Sequence, residues 1–493
     1  MKIFGYEISI RKQKLTKRQY QGAKINRFTA DWLTPNFTAD EILRWSLPTL
    51  RERSRDFERN NDYMKNFLRK LEANVIGAKG VVLQSKAKFK NGDLDIKTNS
   101  MIEDEWEKWG KRYASVCETL TFRDICKLAL RTVARDGEVL IRVLRGFDNP
   151  YALSLQVLEA DYLDERLNQE LPNGNRIIMG VEKNKWGKPV AYWLFERHPG
   201  DRQVAGNRHI RIPAEEIIHL YVKERPTQTR GIPWIASAIL KLRMLGAYEE
   251  AEVIAARVAS AKMGFFIESL EGVQYTGAVD EQGNIISEVE PGVLEKLPPG
   301  VDFKPFDPGN PSAEFSDFVK AMLRGISAGL GCNYNTLCND LESVNYSSLR
   351  AGSLEEREYW MDIQSWFIDA FLEKLYPVWV QMSALSGKVK VPYEEIDRYI
   401  APEWQPRRWD WVDPLKDVQA KVMELKNGLT TRTRICAEQG IDFEDILEEI
   451  KREKQLMDKY GITIQDIDKD TALITEGNEE VLAGGNGNGN QGK

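Results

Sequence analysis

GLGCNYNTLCNDLESVNYSSLRAGSLEEREYW, residues 329–360, reads in order as a helix end, a polar loop and a new helix start. Gly325, Gly329 and Gly331 punctuate the close of an apolar-periodic segment, since glycine leaves a helix in the left-handed conformation at little cost. Residues 332–345 then show neither a helical nor a strand period. Ser347-Ser348 opens a long amphipathic run with Glu355, Glu356 and Glu358 near its start. Joining two helices does not require so many hydrogen-bonding groups. Asn333, Asn335, Asn339, Asp340, Glu342 and Asn345 are therefore the loop residues expected to carry function.

Upstream of the loop, residues 313–328 repeat with a helical period. Phe315, Phe318, Val319, Met322 and Ile326 form one face, and Glu314, Asp317, Lys320 and Arg324 form another, a stripe that suits a wet channel or an ordinary solvated face. Residues 265–312 change character: prolines 291, 298, 299, 305, 308 and 311 break helices, and FFIES, NIISEV, VLEKL and VDFKPF read as short strands of a small β-rich insertion. Before the insertion, a helix is expected from Pro233, in an N1 position after Gly231, to about Lys262, roughly 45 Å of axis at 1.5 Å per residue. Its alanines at 236, 238, 247, 251, 255, 256, 259 and 261 allow close approach on more than one side, as a buried helix or one packed between copies of itself requires.

Downstream, a helix over 347–382 carries the apolar stripe Trp360, Ile363, Phe367, Phe371, Leu375 and Trp379, with a kink expected at Pro377. In WQPRRWDWVDP (404–414), Trp404, Trp409 and Trp411 flank Arg407 and Arg408. They could stack on nucleic acid, but aromatic packing that anchors a strand is the plainer reading. Helices follow at 414–427, 430–439 and 442–459, parted by Gly428 and Gly440, and residues 483–493 are low-complexity.

The first half reads as α+β. Residues 1–40 form a weakly structured arm, and a helix spans 50–76. A strand covers 81–89, a polar turn 91–95, and helices 99–110 and 121–135, the second N-capped by Thr121. EVLIRVL (138–144) and residues 152–158, 176–183 and 189–196 read as strands, the last two joined by a turn at 184–188. Asp136, Glu138, Asp161 and Asp164 could be a carboxylate metal site. Turn and strand-end carboxylates explain them more simply, because no further acid, His or Lys recurs with catalytic spacing.

With 42% hydrophobic and 29% charged residues, 493 residues can bury more than one core. No 18-residue window is continuously apolar and no secretory stretch opens the sequence, so no membrane partner and a cytoplasmic site of synthesis are expected. Cysteines 117, 126, 332, 338 and 436 suggest no disulfide framework, and Cys332-x5-Cys338 reads as two unrelated thiols rather than half of a metal site. His219, in the apolar run IIHLYV, reads as a satisfied core histidine. No cofactor is indicated, and the absence of G-x-x-x-x-G-K-[ST] excludes an ATP-driven motor of that type. Charge is unevenly spread. Residues 1–30 hold eight Lys or Arg against one Glu, while residues 442–493 hold 13 acids against six bases. The overall charge of −6 argues against tight sequence-specific DNA binding.

The 329–360 block resembles the portal proteins of tailed bacteriophages, of the lambda type. The same resemblance runs through RSRDFERNN (53–61), NVIGAKGVVLQ (74–84), ARDGEVLIRVL (134–144), LQVLEADYLD (155–164), GVEKNKWGKPVAYWLFERHPGD (180–201), IPAEEIIHLYVKERPTQTRGIPWIA (212–236) and 407–447. It implies a multidomain α+β fold: an arm (1–40), a wing (41–230), a stem helix (231–264), a β-rich clip (265–312), a second stem helix (313–330), a tunnel loop (331–346), a wing helix and connection (347–400), a helical crown (401–460) and a tail (461–493). The resemblance further implies a non-enzymatic ring of twelve copies at one capsid vertex, assembled in the host cytoplasm, through which double-stranded DNA passes without sequence preference. The implied partners are the terminase large subunit, the major capsid and scaffold proteins, and head-completion or tail-connector proteins. Within that plan Glu314, Asp317, Lys320 and Arg324 face the channel and the loop residues above project into it. A metal-dependent nuclease using the four acids, or a non-conducting structural component of a particle, stays open as an alternative.

Overall fold

The computed structural model describes residues 36–460 apart from 202–207, 261–263, 269–300, 306–314, 343–344, 410–413 and 439–442, together with 2–3, 6–7, 27 and 31. Strands β1 (Lys2–Ile3) and β2 (Tyr6–Glu7) pair in the first residues. Helix α1 (Ala39–Asn60) is N-capped by Thr38, whose hydroxyl accepts from the Glu41 N–H, and α2 (Asp62–Val75) is N-capped by Asn61. The single helix expected over 50–76 is thus two. The first begins eleven residues earlier than expected and carries Pro48 inside it, and Asn61 ends one helix and starts the next.

Strand β3 (Val82–Ser85) precedes α3 (Ile96–Arg112) and α4 (Phe122–Asp136). Helix α4 begins where the sequence places it. Thr121 accepts from the Asp124 N–H while Asp124 accepts from the Thr121 N–H, a capping box that satisfies two donors with no other helical partner. Strands β4 (Glu138–Arg145) and β5 (Leu153–Leu158) form a hairpin. A five-stranded antiparallel meander follows, with β6 (Gln169–Glu170), β7 (Arg176–Ile178), β8 (Val181–Lys183), β9 (Pro189–Phe195) and β10 (His209–Pro213). Residues 176–183, expected as one strand, turn at Met179-Gly180, where both φ angles are positive. Strand β11 (Ile217–Tyr221) returns to pair with β4, giving the order β11-β4-β5.

Helix α5 spans Ile239–Ser260. The expected start at Pro233 is not seen. The Trp234 N–H bonds to the Ala134 carbonyl and residues 233–238 form i→i+3 turns, so tertiary bonds to α4 hold this stretch out of the helix. Strands β12 (Gly264–Glu268) and β13 (Val301–Pro305) pair antiparallel, matching FFIES and VDFKPF; NIISEV and VLEKL lie outside the described residues. Helix α6 (Phe315–Leu330) leads into α7 (Tyr334–Cys338), and α8 (Tyr346–Phe367) runs through a π-turn (Ile368–Leu372) into α9 (Glu373–Leu385). These last three segments make one rod of about 60 Å at 1.5 Å per residue. Helix α10 (Ile396–Tyr399), strand β14 (Pro402–Gln405), which pairs with β3, and helices α11 (Pro414–Lys426), α12 (Arg432–Glu438) and α13 (Phe443–Tyr460) complete the order. Among the described residues no helix is long and apolar enough to cross a membrane.

The main core joins α2, α3, α4 and the three-stranded sheet to the rod. Its centre is aromatic: Trp106 lies 5.1 Å from both Trp379 and Phe122, and 5.7 Å from Trp404. Trp404 and Trp409 are thus packing residues, as expected. The Trp404 indole N–H donates to Glu373 and that of Trp409 to Asn74, while Trp411 lies outside the described residues. A smaller core of Leu140, Leu163, Tyr192 and Ile212 joins the two larger sheets.

Beside it sits a buried charge network. Glu138 accepts from Arg230 Nε at 2.7 Å, from the Gly231 N–H at 3.0 Å and from Arg51 at 3.4 Å, and His219 Nε2 lies 2.9 Å away. Arg55, one turn after Arg51, bridges Asp136 at 2.9 Å and Asp161 at 2.5 Å. Burial alone would raise the Glu138 pKa, but Arg230 and His219 outweigh it and hold the carboxylate well below its usual range. Burial holds His219 below its usual range, against the pull of Glu138. A carboxylate pKa depressed in the fold gives stability that is present above the unfolded-state value and lost as pH falls through the folded one. The thermal midpoint should therefore drop on acidification below the ordinary glutamate range. Glu138→Ala should cost about 3–5 kcal/mol by stranding buried arginines, read as a lowered unfolding midpoint at neutral pH. A midpoint unchanged by that substitution would remove the network from the stability of the fold.

Candidate functional site

The polar stripe of α6 and the loop after it meet on one surface. Gly331 turns the chain at φ +71°, against the Tyr359 ring. The loop is not featureless: α7 occupies its first half and buries Leu337 between α2 and α6. Two latches fix it. The Asn333 N–H and the Thr336 hydroxyl both donate to Glu356 of α8, at 3.1 and 2.8 Å, and Asn333 Nδ2 donates to the Gly352 carbonyl. From the other side, Asn66 Nδ2 donates to the carbonyls of Thr336 and Leu337.

Asn339 ends α7 in the left-handed conformation, which asparagine adopts more readily than most residues. The chain then turns outward. Asp340 accepts from the Tyr334 hydroxyl at 2.7 Å and from the Glu342 N–H at 2.9 Å, and these bonds hold its carboxyl below the usual range. Leu341 and Glu342 are exposed, and Asn345 caps α8 by accepting from the Ser348 N–H at 2.7 Å. Lys320 reaches Glu342 at 3.7 Å, and the Arg324 guanidinium lies 5.6 Å from the Tyr334 ring centre. Arg324, Asn335, Ser348 and Gly352 line a cavity of ≈ 360 Å³.

The sequence-chosen residues thus divide. Asp317 is exposed; Lys320 and Arg324 meet the loop; Asn335, Asn339, Asp340 and Glu342 present polar groups near its surface. Asn333 and Asn345 serve the fold through the latch and the cap, and Glu314 lies outside the described residues. Glu356 and Asn66, which fasten the loop, were missed. Glu356 sits in the quoted block among other glutamates, and nothing local marks Asn66, 270 residues from its partner.

The four acids considered for a metal are otherwise engaged. Arg135 and Arg55 hold Asp136; Arg230, Arg51 and His219 surround Glu138; Arg55 holds Asp161; and Asp164 lies 3.2 Å from His209. Glu159, Asp161 and His198 do converge, but Arg55 already occupies the same carboxylate of Asp161. His219 is the core histidine expected, buried against Glu138.

Comparison with known proteins identifies the family. The family described as phage portal protein, lambda family, matches residues 26–364. The chain belongs to the lambda family of phage portal proteins. It is 38% identical to the probable portal protein of Halomonas phage phiHAP-1 over 461 residues, which covers 92% of this chain and 89% of that one. To portal protein B of Escherichia phage lambda it is 21% identical over 469 residues, 86% of each chain. A solved structure titled as the neck of an empty GTA particle, computed with C6 symmetry, is similar at 15% identity and a TM-score of 0.44, covering 80% of this chain and 94% of that one. As a portal protein the chain is a structural component of the virion at the capsid vertex.

Because the portal loop is fastened from both sides, Glu356→Ala should speed amide hydrogen exchange of residues 331–338 at least tenfold while leaving exchange in α4 unchanged. Unaltered exchange in 331–338 would mean the latch does not hold the loop.

Proposed function

We propose that twelve copies of the chain close into a ring whose wall, built by α5 and α6, conducts double-stranded DNA during packaging and release. The exposed apolar length of α5 supports this best. Leu240 is 63% exposed and Val253 60%, and no described side chain of α5 beyond Leu245 is buried. Apolar groups shown along so long a helix call for a further protein surface. A head-to-tail contact with the next copy supplies one, and it closes into a ring when the rotation between copies divides the circle.

The polar stripe of α6 fits a conduit wall. A duplex carries about one charge per 1.7 Å, and a continuous cationic lining would hold it fast. Asp317, Lys320 and Arg324 give mixed sign instead, with Lys320 partly offset by Glu342. The outer loop residues Asn339, Asp340 and Glu342, with Asn335 beside them, are then the groups that touch passing DNA. In the same reading the terminase large subunit docks on the 265–312 insertion, and capsid, scaffold and head-completion or tail-connector proteins contact the rest of a ring assembled in the host cytoplasm. The chain itself hydrolyses neither DNA nor nucleotides, because its clustered acids hold arginines.

Native mass spectrometry should give about 680 kDa for twelve copies of the 56.5 kDa chain, with an axial hole in electron micrographs. Leu240→Glu combined with Val253→Glu should leave folded monomers. A wild-type chain that stays monomeric at every concentration, with capsid proteins present, would overturn the ring. Replacing residues 339–342 with Gly and Ser, while keeping the latched 333–338, should preserve ring mass but lower packaged DNA per particle. Normal packaging and retention in that variant would take the loop out of the mechanism. Metal-dependent DNA cleavage lost on Asp161→Ala would restore the nuclease reading.

A further inference from the structure

A cavity of ≈ 530 Å³ opens where the segment after β11 meets the end of α6 and the middle of the rod. Three half-buried rings line it, Trp234, Tyr359 and Trp366, together with two exposed carboxylates, Glu224 and Asp362. Trp234 and Trp366 meet edge to face with ring centres 6.4 Å apart. Rings attract a cation and cover its alkyl stem, and a carboxylate takes its charged head, so this lining suits a long cationic side chain. No described lysine or arginine lines the cavity. Lys223 and Lys374 line a neighbouring one, which shares Val222 and Trp366 with it.

Asp362 also ends a stripe of exposed acids on α8. Glu358 and Glu355 precede it by four and seven residues, so the stripe runs about 10 Å along the helix up to the cavity. None of these three, nor Glu224, forms an ion pair among the described residues. The N-terminal arm joins the body close by. Arg225, next to Glu224, donates to the Phe37 carbonyl at 3.3 Å, and the N–H and hydroxyl of Thr229 both donate to Asp40. The arm is strongly basic: residues 1–30 hold eight Lys or Arg against one Glu, and five of the eight fall in RKQKLTKR (11–18). Residues 11–18 lie outside the described residues, and it is their sequence that supplies the missing charge. The chain from Arg18 to Phe37 can span up to about 60 Å when extended, so reach does not limit a return to the cavity.

We infer that residues 11–18 of the N-terminal arm fold back onto this acidic, aromatic track of their own chain. One long cation seats among Trp234, Tyr359 and Trp366 with its head at Glu224 and Asp362, and others lie along Glu358 and Glu355. The contact is internal to one copy, so it stands or falls apart from the ring. Attraction between exposed charges fixes where the segment lands and weakens in salt, while the rings cover the apolar stem. Gly331 lines the same cavity, so the docked segment lies against the turn that opens the portal loop.

The test uses the full-length chain with a photoreactive benzophenone side chain at position 15. Unlabelled and nitrogen-15-labelled chains are mixed before any ring assembles, irradiated and digested, and the cross-linked peptides are weighed. Cross-links should concentrate on residues 222–234 and 328–366, join peptides of one isotope class, and fall at least about fivefold as salt rises from roughly 0.05 to 0.5 M. Glu224→Lys, Glu358→Lys and Asp362→Lys together should lower them to a similar degree at low salt. Adding Arg11→Glu, Lys12→Glu, Lys14→Glu, Lys17→Glu and Arg18→Glu to that variant should restore them, a rescue that a misfolded chain would not give. Cross-links scattered over the surface of the wild-type chain, or indifferent to salt, overturn the docking whatever the variants do. Persistence of the cavity cross-links in the acid-reversed variant overturns it too. Cross-links between isotope classes would place the arm on another copy and overturn docking within one chain.

Discussion

The contact between Glu138 and Arg230 organises the molecule. Both side chains are fully buried, and each would be intolerable alone, since an isolated charge in the interior costs several kcal/mol or more. Glu138 opens β4, the central strand of the three-stranded sheet, and Arg230 lies in the segment that leads from β11 to α5. Arg230 also donates to the carbonyls of Ala160 and Met179, so one guanidinium ties the sheet, the 3-10 turn after β5 and the β7–β8 turn to the root of α5. Arg51 and Arg55 bring α1 to the same place. The network does not raise stability in the way an apolar core does. It makes one arrangement of these elements far less costly than any other.

What the sequence made legible was local. The Thr121 cap, the Asn184–Lys188 turn and the helices near the C-terminus are written in adjacent residues, and the structure has them within a few positions. Two of the errors share a source. Pro233 looks like the first residue of a helix, but Trp234 bonds to α4 instead. Residues 332–345 look structureless because the partners that fold α7 down, Asn66 and Glu356, come from other elements. The candidate site was legible as a place and only half legible as chemistry. Asparagine is equally suited to capping, latching and presenting its amide, and composition does not say which. The arginine pairs were hinted at by the R-x-x-x-R spacing of 51 and 55, one helical turn apart, but their acids lie roughly 80 to 115 residues away.

The rod shows how a local fault is accommodated. Pro377 has no N–H to offer the carbonyl of Glu373, yet the helix continues to Leu385. The departure from α geometry is a π-turn just before it, at Ile368–Leu372. A π-turn inserts one residue and so rotates every later side chain by about 100° relative to an unbroken α-helix. Leu375, Tyr376 and Trp379 therefore reach the aromatic core from a register that the stripe of α8 would not have given them, and Lys374 stands beside β11.

The crossing of two chain segments at Gly137 and Gly231 has a consequence for how this region can vary. A Cβ on Gly231 would lie 2.0 Å from the carbonyl oxygen of Gly137, and one on Gly137 would lie 2.6 Å from the backbone carbon of Ile232. In each case the obstacle is main chain. Contacts between side chains can drift over time by reciprocal exchange, large for small on one side and small for large on the other. No such trade exists here, because the opposing atoms are the same in every amino acid. The approach to α5 is therefore fixed at a point where neither partner can adjust to a change in the other.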